Sequence, residues 1–179
     1  PALTPIRIGI PASPAALATS FTLSSNCLML PGFTRTAAQP ASIAAKVAYP
    51  ERTVVCFAGD GDFQMNCQEL ASAKQAGAQP IILILNNGIY GTIRAHQERH
   101  YPERVSGTSM VNPDFAALAM AYGFHGERVS RTEDFPAAFA RALASKTGAV
   151  LDLDISPEAL TPRQTLSQMR AAALAKKGQ

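Results

Sequence analysis

The sequence predicts an α/β domain, built as a three-layer open parallel sheet with helices on both faces. Two apolar runs, 53–58 and 81–85, are rich in Val, Ile and Leu, and each ends at a turn of Gly, Asp or Asn. Such runs are typical of strands that are buried on both faces of a parallel sheet. Segments with helical spacing alternate with the strands. At 179 residues, the chain is long enough for one core of this kind and tight for two complete domains.

The elements of the first half follow from local patterns. Pro40 followed by ASIAAKVA predicts a short helix with proline near its first turn, where a missing N–H is tolerated. After the strand at 53–58, apolar side chains at helical spacing predict one helix over 63–76. Gly77 is expected to end this helix in the left-handed conformation. The second strand, 81–85, follows directly.

The second half begins with a long loop. Residues 99–112 are rich in turn-forming residues, and the loop is long enough to act as a lid. Asn112, with Pro113 and Asp114 after it, predicts the N-cap of a helix that runs to about Tyr122. Residues 124–129 are expected to form a short strand.

Three more elements complete the pattern. A helix is expected to begin at Thr132 or Asp134 and to end near Ser145. Residues 148–155 alternate apolar side chains with two aspartates, which predicts a strand near the sheet edge. Thr161 begins a last helix. The apolar face of that helix contains Leu166, Met169 and Leu174.

Charge divides the chain into three expected regions. Residues 1–33 form an atypical segment with five prolines and one charged side chain, and 34–160 form the α/β domain. Residues 161–179 form a basic helical tail with four basic residues and no acid, which accounts for the net charge of +3. The remainder has a net charge of −1, so the domain offers no concentrated basic patch and no nucleic-acid partner is expected.

Membrane insertion and secretion are also disfavoured. No uninterrupted apolar run of about 18 residues exists to span a bilayer, and the N-terminal residues lack the pattern of a secretory signal. The three cysteines, Cys27, Cys56 and Cys67, form no CxxC pair. An odd number of cysteines favours a reducing compartment, so we expect a cytoplasmic protein without a membrane partner.

Polar clusters follow both apolar strands at the point where each strand ends. Gly59-Asp60-Gly61-Asp62 follows the first strand, and Asn86-Asn87-Gly88 follows the second. In open parallel sheets, ligands bind outside the carboxyl ends of the strands. Carboxylate and amide oxygens suit Mg²⁺ or Ca²⁺, and a helix N-terminus beside them favours a phosphate. The alternative is an ordinary Asx-type turn at each strand end.

The segment GDGDFQMNCQELASAKQAGAQPIILILNN resembles the diphosphate-binding signature of thiamine-diphosphate enzymes. In that signature a GDG is followed, here after 24 residues, by NN. The flanks FQMNCQEL and NNGIYGTI are similar to the acetolactate synthase and 2-oxoacid decarboxylase branch. The resemblance covers roughly residues 34–170.

The resemblance implies a cofactor site for thiamine diphosphate and Mg²⁺. The metal ligands would be the side chains of Asp60 and Asn87 and the backbone carbonyl of Ile89. The full set of implied cofactor-binding residues is Gly59, Asp60, Gly61, Asp62, Asn87, Ile89 and Tyr90. Asp62 is expected to cap the helix at Met65. Two interpretations remain open for Tyr90, which would line the thiazolium side of the site or pack over the end of the sheet.

The resemblance also implies an incomplete catalyst. The cofactor adds to the carbonyl of a 2-oxoacid and releases carbon dioxide, after which the product carbon is protonated or joined to a second carbonyl compound. In this family the glutamate that activates the cofactor comes from a pyrimidine-binding domain on the same or another chain. We therefore assign no catalytic residue here. The expected role is that of a C-terminal domain in a homo-oligomer, inactive alone.

Two alternatives to this role stay open: one places the pyrimidine-binding domain on a second chain, and the other rests on a departure from the family. The family has a pattern like GxMGxGLPAAIAAK before the first strand, and this chain reads FTRTAAQPASIAAK, with Arg35 at the methionine position. This departure affects recognition of the aminopyrimidine. The first alternative is the small subunit of a heteromeric decarboxylase, such as sulfopyruvate decarboxylase. The second is a non-catalytic remnant that retains the fold.

Overall fold

The computed structural model describes residues 38–161 and 163–177, so the predicted segment 1–33, Arg35 and Cys27 lie outside the described residues. Four parallel strands form one sheet in the order β1-β2-β4-β3. The strands are β1 (Val55–Gly59), β2 (Ile81–Asn86), β3 (His125–Val129) and β4 (Ala149–Asp154). The helices are α1 (Ala38–Ala48), α2 (Asp60–Asn66), α3 (Glu69–Gln75), α4 (Gly91–His100), α5 (Phe115–Ala121), α6 (Phe135–Ala144) and α7 (Leu166–Lys177).

Helices cover both faces of the sheet, which confirms the predicted fold class. One apolar core contains Ile82 and Ile84 of β2 together with side chains of α1, α2, α3 and α5. The other contains Ile81 and Leu83 of β2 together with side chains of α6. Alternate residues of β2 therefore enter opposite cores, which explains why this strand is apolar at every position from 81 to 85.

The single helix predicted over 63–76 is wrong, because the structure has α2 and α3 in its place. Helix α2 begins at Asp60, immediately after β1, and α3 begins at Glu69. Between them, Cys67 and Gln68 keep right-handed helical angles. The break thus kinks the chain without reversing it. Both helices place a fully buried side chain, Phe63 and Leu70, in the same core. The predicted left-handed end at Gly77 is confirmed by its φ of 66°.

Strand β4 does not lie near the sheet edge as predicted. It pairs with β2 on one side and with β3 on the other, so β3 and β1 are the two outer strands of the described sheet. The two aspartates that suggested an edge have partners on the neighbouring strands. Asp152 accepts a hydrogen bond from Asn86 of β2 at 2.9 Å, and Asp154 forms an ion pair with Arg128 of β3 at 2.7 Å.

The start of α5 and the extent of α7 also differ from the predictions. Asp114 is the N-cap of α5, and its carboxylate accepts a hydrogen bond from the backbone N–H of Ala117 at 2.8 Å. Asn112 therefore does not cap this helix. Helix α7 begins at Leu166, later than expected, and Ala173 is buried where Leu174 was expected. Among the described residues, no helix is both long and apolar enough to cross a bilayer.

Candidate functional site

The loops after β1 and β2 meet at the carboxyl end of the sheet. Because β1 and β2 are parallel neighbours with Gly59 beside Leu85, the residues that follow them lie next to one another. Asp60 accepts a hydrogen bond on its Oδ2 from the backbone N–H of Gly88, at 2.8 Å. The structure therefore brings the GDGD segment and the NNG segment, 28 residues apart in the chain, into direct contact.

The carboxylate of Asp60 is the most deeply buried of the predicted site side chains. The residue is only 3% exposed. Besides the Gly88 N–H, Oδ1 accepts from the backbone N–H of Gly61 at 3.0 Å, and Oδ2 accepts from Nδ2 of Asn112 at 2.7 Å. Among the described residues, no basic side chain forms an ion pair with Asp60. A buried carboxylate held only by neutral donors favours a cation beside it.

Asn87 forms the Asx-type turn that was the alternative interpretation. Its Oδ1 accepts a hydrogen bond from the backbone N–H of Ile89 at 3.1 Å. Gly88 between them has a φ of 66°, a left-handed conformation that glycine adopts without strain. Ile89 also forms an isolated antiparallel bridge with Ser109. The turn thus holds the side chain of Asn87 and the backbone of Ile89 close together.

Asp62 does not cap a helix at Met65 as expected. It lies inside the first turn of α2, whose N-cap is Gly59, and no side chain forms a capping hydrogen bond there. The reason is that α2 starts at Asp60, three residues earlier than the sequence suggested. Gly59 has an extended backbone, with φ −69° and ψ 157°, which turns the chain directly from strand into helix.

Tyr90 packs against Gly61. A β-carbon at Gly61 would lie 2.8 Å from Cε1 and 3.1 Å from Cδ1 of the Tyr90 ring. Glycine is therefore required for the ring to approach the α2 backbone this closely. The other part of Tyr90 remains accessible, because the residue is 37% exposed. The observed contact of Tyr90 is with the first turn of α2, and both interpretations of this residue stay predictions.

A hydrogen-bonded network behind Asp60 was missed by the sequence analysis. The amide of Asn112 donates from Nδ2 to Asp60 Oδ2 and to Asn86 Oδ1, at 2.7 and 2.8 Å. Asn86 in turn donates to the Oδ1 of Asp152 at 2.9 Å. Asp152 is 1% exposed, and burial raises the pKa of its carboxyl although the hydrogen bond from Asn86 opposes the shift. This network connects the Asp60 carboxylate to the end of β2 and to β4.

The signal for this network was present but was assigned to other roles. Asn112 precedes a proline and an aspartate, so it was assigned to a helix cap that Asp114 forms instead. Asp152 was interpreted only as part of an alternating strand near the sheet edge. Local pattern cannot show contacts between residues 52 or 66 positions apart.

The donor atoms of the site suit a hard cation. Within the described residues, no group of three or more His, Cys, Asp or Glu side chains could hold a metal ion. The candidate donors are instead one carboxylate, one amide oxygen and one backbone carbonyl, from Asp60, Asn87 and Ile89. Oxygen ligands of this kind, completed by phosphate oxygens and water, are typical of Mg²⁺ sites.

Comparisons with known proteins match a family model and several relatives. The family model described as thiamine pyrophosphate enzyme, C-terminal TPP binding domain, matches residues 19–153. Acetolactate synthase isozyme 2 large subunit of Escherichia coli (strain K12) is 40% identical over 117 residues, which are 65% of this chain and 21% of that protein. The mitochondrial acetolactate synthase catalytic subunit of Saccharomyces cerevisiae is 40% identical over 116 residues, 65% of this chain and 17% of that protein.

A solved structure is similar as well. The thiamine diphosphate-dependent 4-hydroxybenzoylformate decarboxylase of Rhodococcus jostii RHA1 superposes with a TM-score of 0.61 and 31% identity. The match covers 68% of this chain and 23% of that one. The chain therefore spans about a fifth of the length of the relatives that it matches.

Proposed function

This chain belongs to the thiamine pyrophosphate enzyme family, as a C-terminal TPP binding domain, and on that basis we propose its specific role. It binds the diphosphate of thiamine diphosphate through Mg²⁺, as the C-terminal domain of an acetolactate synthase-like carboligase or decarboxylase that acts on 2-oxoacids. The observation that carries this proposal is the buried carboxylate of Asp60 at the end of β1, which contacts the loop after β2 and lacks an ion-pair partner among the described residues.

Three residues would hold the cation. Asp60 supplies a carboxylate oxygen, Asn87 its side-chain oxygen and Ile89 its backbone carbonyl. The Asx-type turn at Asn87 supports this assignment, because it keeps the latter two residues on one short segment beside Asp60. The hydrogen bond from the backbone N–H of Gly88 to the Asp60 carboxylate then fixes how the two loops approach each other.

The remaining predicted residues would hold the organic cofactor. Gly59, Gly61 and Asp62 present the backbone at the start of α2, where N–H groups have no carbonyl acceptor within the helix and favour a phosphate. Tyr90 covers Gly61 from the side of the loop after β2. Its accessible portion would face bound cofactor or substrate.

When bound, thiamine diphosphate supplies the carbon nucleophile that the reaction needs. We assign the described residues the tasks of binding and orienting it, and no catalytic acid or base. The partner that completes the site would be a pyrimidine-binding domain, on the same or another chain, in a homo-oligomer.

Calorimetric titration tests the cation assignment. Thiamine diphosphate with Mg²⁺ is titrated into the chain assembled with the pyrimidine-binding domain. We expect Asp60→Ala and Asn87→Ala each to weaken binding by at least about 10-fold, since each removes a metal ligand. Glu133→Gln is the matched control, because Glu133 is an exposed carboxylate paired only to Arg131 at 3.4 Å. Variants of Asp60 and Asn87 that bind as tightly as the parent would contradict the assignment.

A further inference from the structure

The loop between α4 and α5, residues 101–114, runs alongside the turn that carries the candidate metal ligands. The backbone N–H of Tyr90 donates to the carbonyl of Thr108, and that of Met110 donates to the carbonyl of Gly88, both at 2.9 Å. Thr108 is 2% exposed, so the middle of the loop is packed against the domain. The 101–114 loop is thus the immediate neighbour of the turn after β2.

Asn112 ties the end of this loop to the carboxylate of Asp60. Its Nδ2 donates to Asp60 Oδ2 at 2.7 Å and to Asn86 Oδ1 at 2.8 Å, while its Oδ1 accepts from Nε2 of Gln64 at 2.7 Å. Both sides of the amide are therefore engaged, in a single orientation. The three partners belong to α2 and to the end of β2, the elements that form the candidate site.

We propose that Asn112 is a positioning residue, which orients the Asp60 carboxylate for the cation and couples that carboxylate to the docking of the 101–114 loop. This inference rests on the proposed function for the identity of the cation. The hydrogen bond between Asn112 and Asp60 is observed independently of that identity.

The physical reason is that Asp60 Oδ2 has two donors from two different segments, Gly88 and Asn112. Together they fix the rotation of a carboxylate that would otherwise have only the Gly61 N–H on its other oxygen. A docked loop therefore favours the orientation that binds the cation. By linkage, a cation at Asp60 stabilises the docked loop to the same degree.

Hydrogen exchange in the full 179-residue chain tests the coupling without any cation. The amide proton of Met110 reports docking, because it bonds to the carbonyl of Gly88. We expect Asn112→Ala to accelerate its exchange by about 10-fold, the loss of one hydrogen bond to a charged group. Asp60→Ala should accelerate it at least as much, because it also removes the acceptor of the Gly88 N–H. The double variant should exchange at about the rate of Asp60→Ala and not about 10-fold faster, since both substitutions remove the hydrogen bond between Asn112 and Asp60.

Two further variants sharpen this measurement. Val111→Ala is the matched control, because Val111 is adjacent in the loop and 99% exposed, and it should exchange as the parent does. Asn112→Asp keeps the size of the side chain and replaces the donor by a second carboxylate, so we expect it to be no better protected than Asn112→Ala. Amide protons of Ile82, in the fully buried part of β2, should remain protected in every variant and report an intact fold.

The outcomes separate this inference from the proposed function. Parent-like exchange of Met110 in Asn112→Ala or in Asn112→Asp, or additive effects in the double variant, would overturn the positioning role. Weaker Mg²⁺ affinity in Asn112→Ala, measured with thiamine diphosphate in the assembled enzyme, supports it, whereas unchanged affinity contradicts it. Absence of Mg²⁺ binding to the parent would instead overturn the proposed function. The hydrogen-exchange rates of Met110 in the single and double variants would still decide whether Asn112 couples the loop to Asp60.

Discussion

Two aspartates of β4 differ in their electrostatic surroundings although they are two positions apart. Asp152 is 1% exposed, and burial raises the pKa of its carboxyl. Asp154 is paired with Arg128, and the guanidinium lowers the pKa of that carboxyl. The folded protein therefore binds a proton more tightly at Asp152 than the unfolded chain does, and less tightly at Asp154. The two residues contribute to stability with opposite dependence on pH.

Replacing Asp152 by asparagine should stabilise the protein at neutral pH. The pKa of Asp152 is higher in the folded protein than in the unfolded chain, so the parent loses stability as the pH rises from the unfolded pKa through the folded pKa. Asp152→Asn removes this buried charge and should be more stable than the parent by about 1 kcal/mol at pH 7. The gain should disappear as the pH falls below the unfolded value. Urea unfolding followed by circular dichroism at several pH values measures it.

Asp154→Asn is the internal comparison for this experiment. Its lowered pKa in the fold means that the carboxylate stabilises the protein above the unfolded pKa and that this stability is lost as pH falls through the folded value. Asp154→Asn should therefore lose stability at pH 7. Changes of the same sign in both variants would show that burial does not set the behaviour of Asp152.

Helices α4 and α7 are joined by a charged contact beneath the surface. Glu98 of α4 is 0% exposed, and its Oε2 accepts from Nε of Arg170 of α7 at 2.9 Å and from the backbone N–H of Glu103 at 3.2 Å. Arg170 lowers the pKa of the Glu98 carboxyl. One residue of the basic segment 161–179 thus has a definite structural role, in attaching the last helix.

Arg170→Met should destabilise the protein by about 2 kcal/mol, since it leaves a buried carboxylate without its cation. Adding Glu98→Gln should recover much of that loss. The pair stabilises the fold above the unfolded pKa of the glutamate and loses this effect as pH falls through the folded value, so the parent and Arg170→Met should converge in acid. Urea unfolding at pH 7 and at acidic pH measures both effects.

The exposed Arg163 offers a control for charge alone. Arg163→Met removes the same charge from the same segment, and we expect its free energy of unfolding to stay within about 0.5 kcal/mol of the parent. An equal loss in Arg163→Met and Arg170→Met would contradict a specific role for the contact with Glu98.

The chain as a whole spans about a fifth of the relatives that it matches, which include large and catalytic subunits of acetolactate synthase. Its described residues form one sheet with a candidate cofactor site at one end. The alternatives of a separate decarboxylase subunit and of a non-catalytic remnant remain predictions. A separate subunit would be active with a second chain that carries the pyrimidine-binding domain, whereas a remnant would be inactive with any partner.

The isolated chain should not turn over a 2-oxoacid. With pyruvate, thiamine diphosphate and Mg²⁺, we expect no carbon dioxide release above the cofactor-only background, because under the proposed function a pyrimidine-binding partner completes the site. Addition of that domain from an acetolactate synthase should raise the rate in the parent and not in Asp60→Ala. Turnover by the chain alone would contradict the proposal that a pyrimidine-binding partner is needed. Absence of turnover in the assembled enzyme would favour the non-catalytic remnant.

The α/β class, the two polar loops after β1 and β2 and the left-handed Gly77 could all be predicted from local sequence. Apolar runs, turn residues and helix ends depend on neighbours within a few positions, so a pattern records them directly. The proximity of the two loops that contain Asp60 and Asn87 was predicted in the same way, because parallel strands bring their carboxyl ends to one edge.

Other features emerged only when distant segments were packed together. The place of β4 between β2 and β3, the burial of Asp152 and the contact of Asn112 with Asp60 join residues many positions apart. A polar side chain has the same local pattern whether its partner is water, a helix N-terminus or a buried carboxylate. The free energy that selects among these partners comes from burial and hydrogen bonding in the folded chain, and neither exists before the strands are ordered in the sheet.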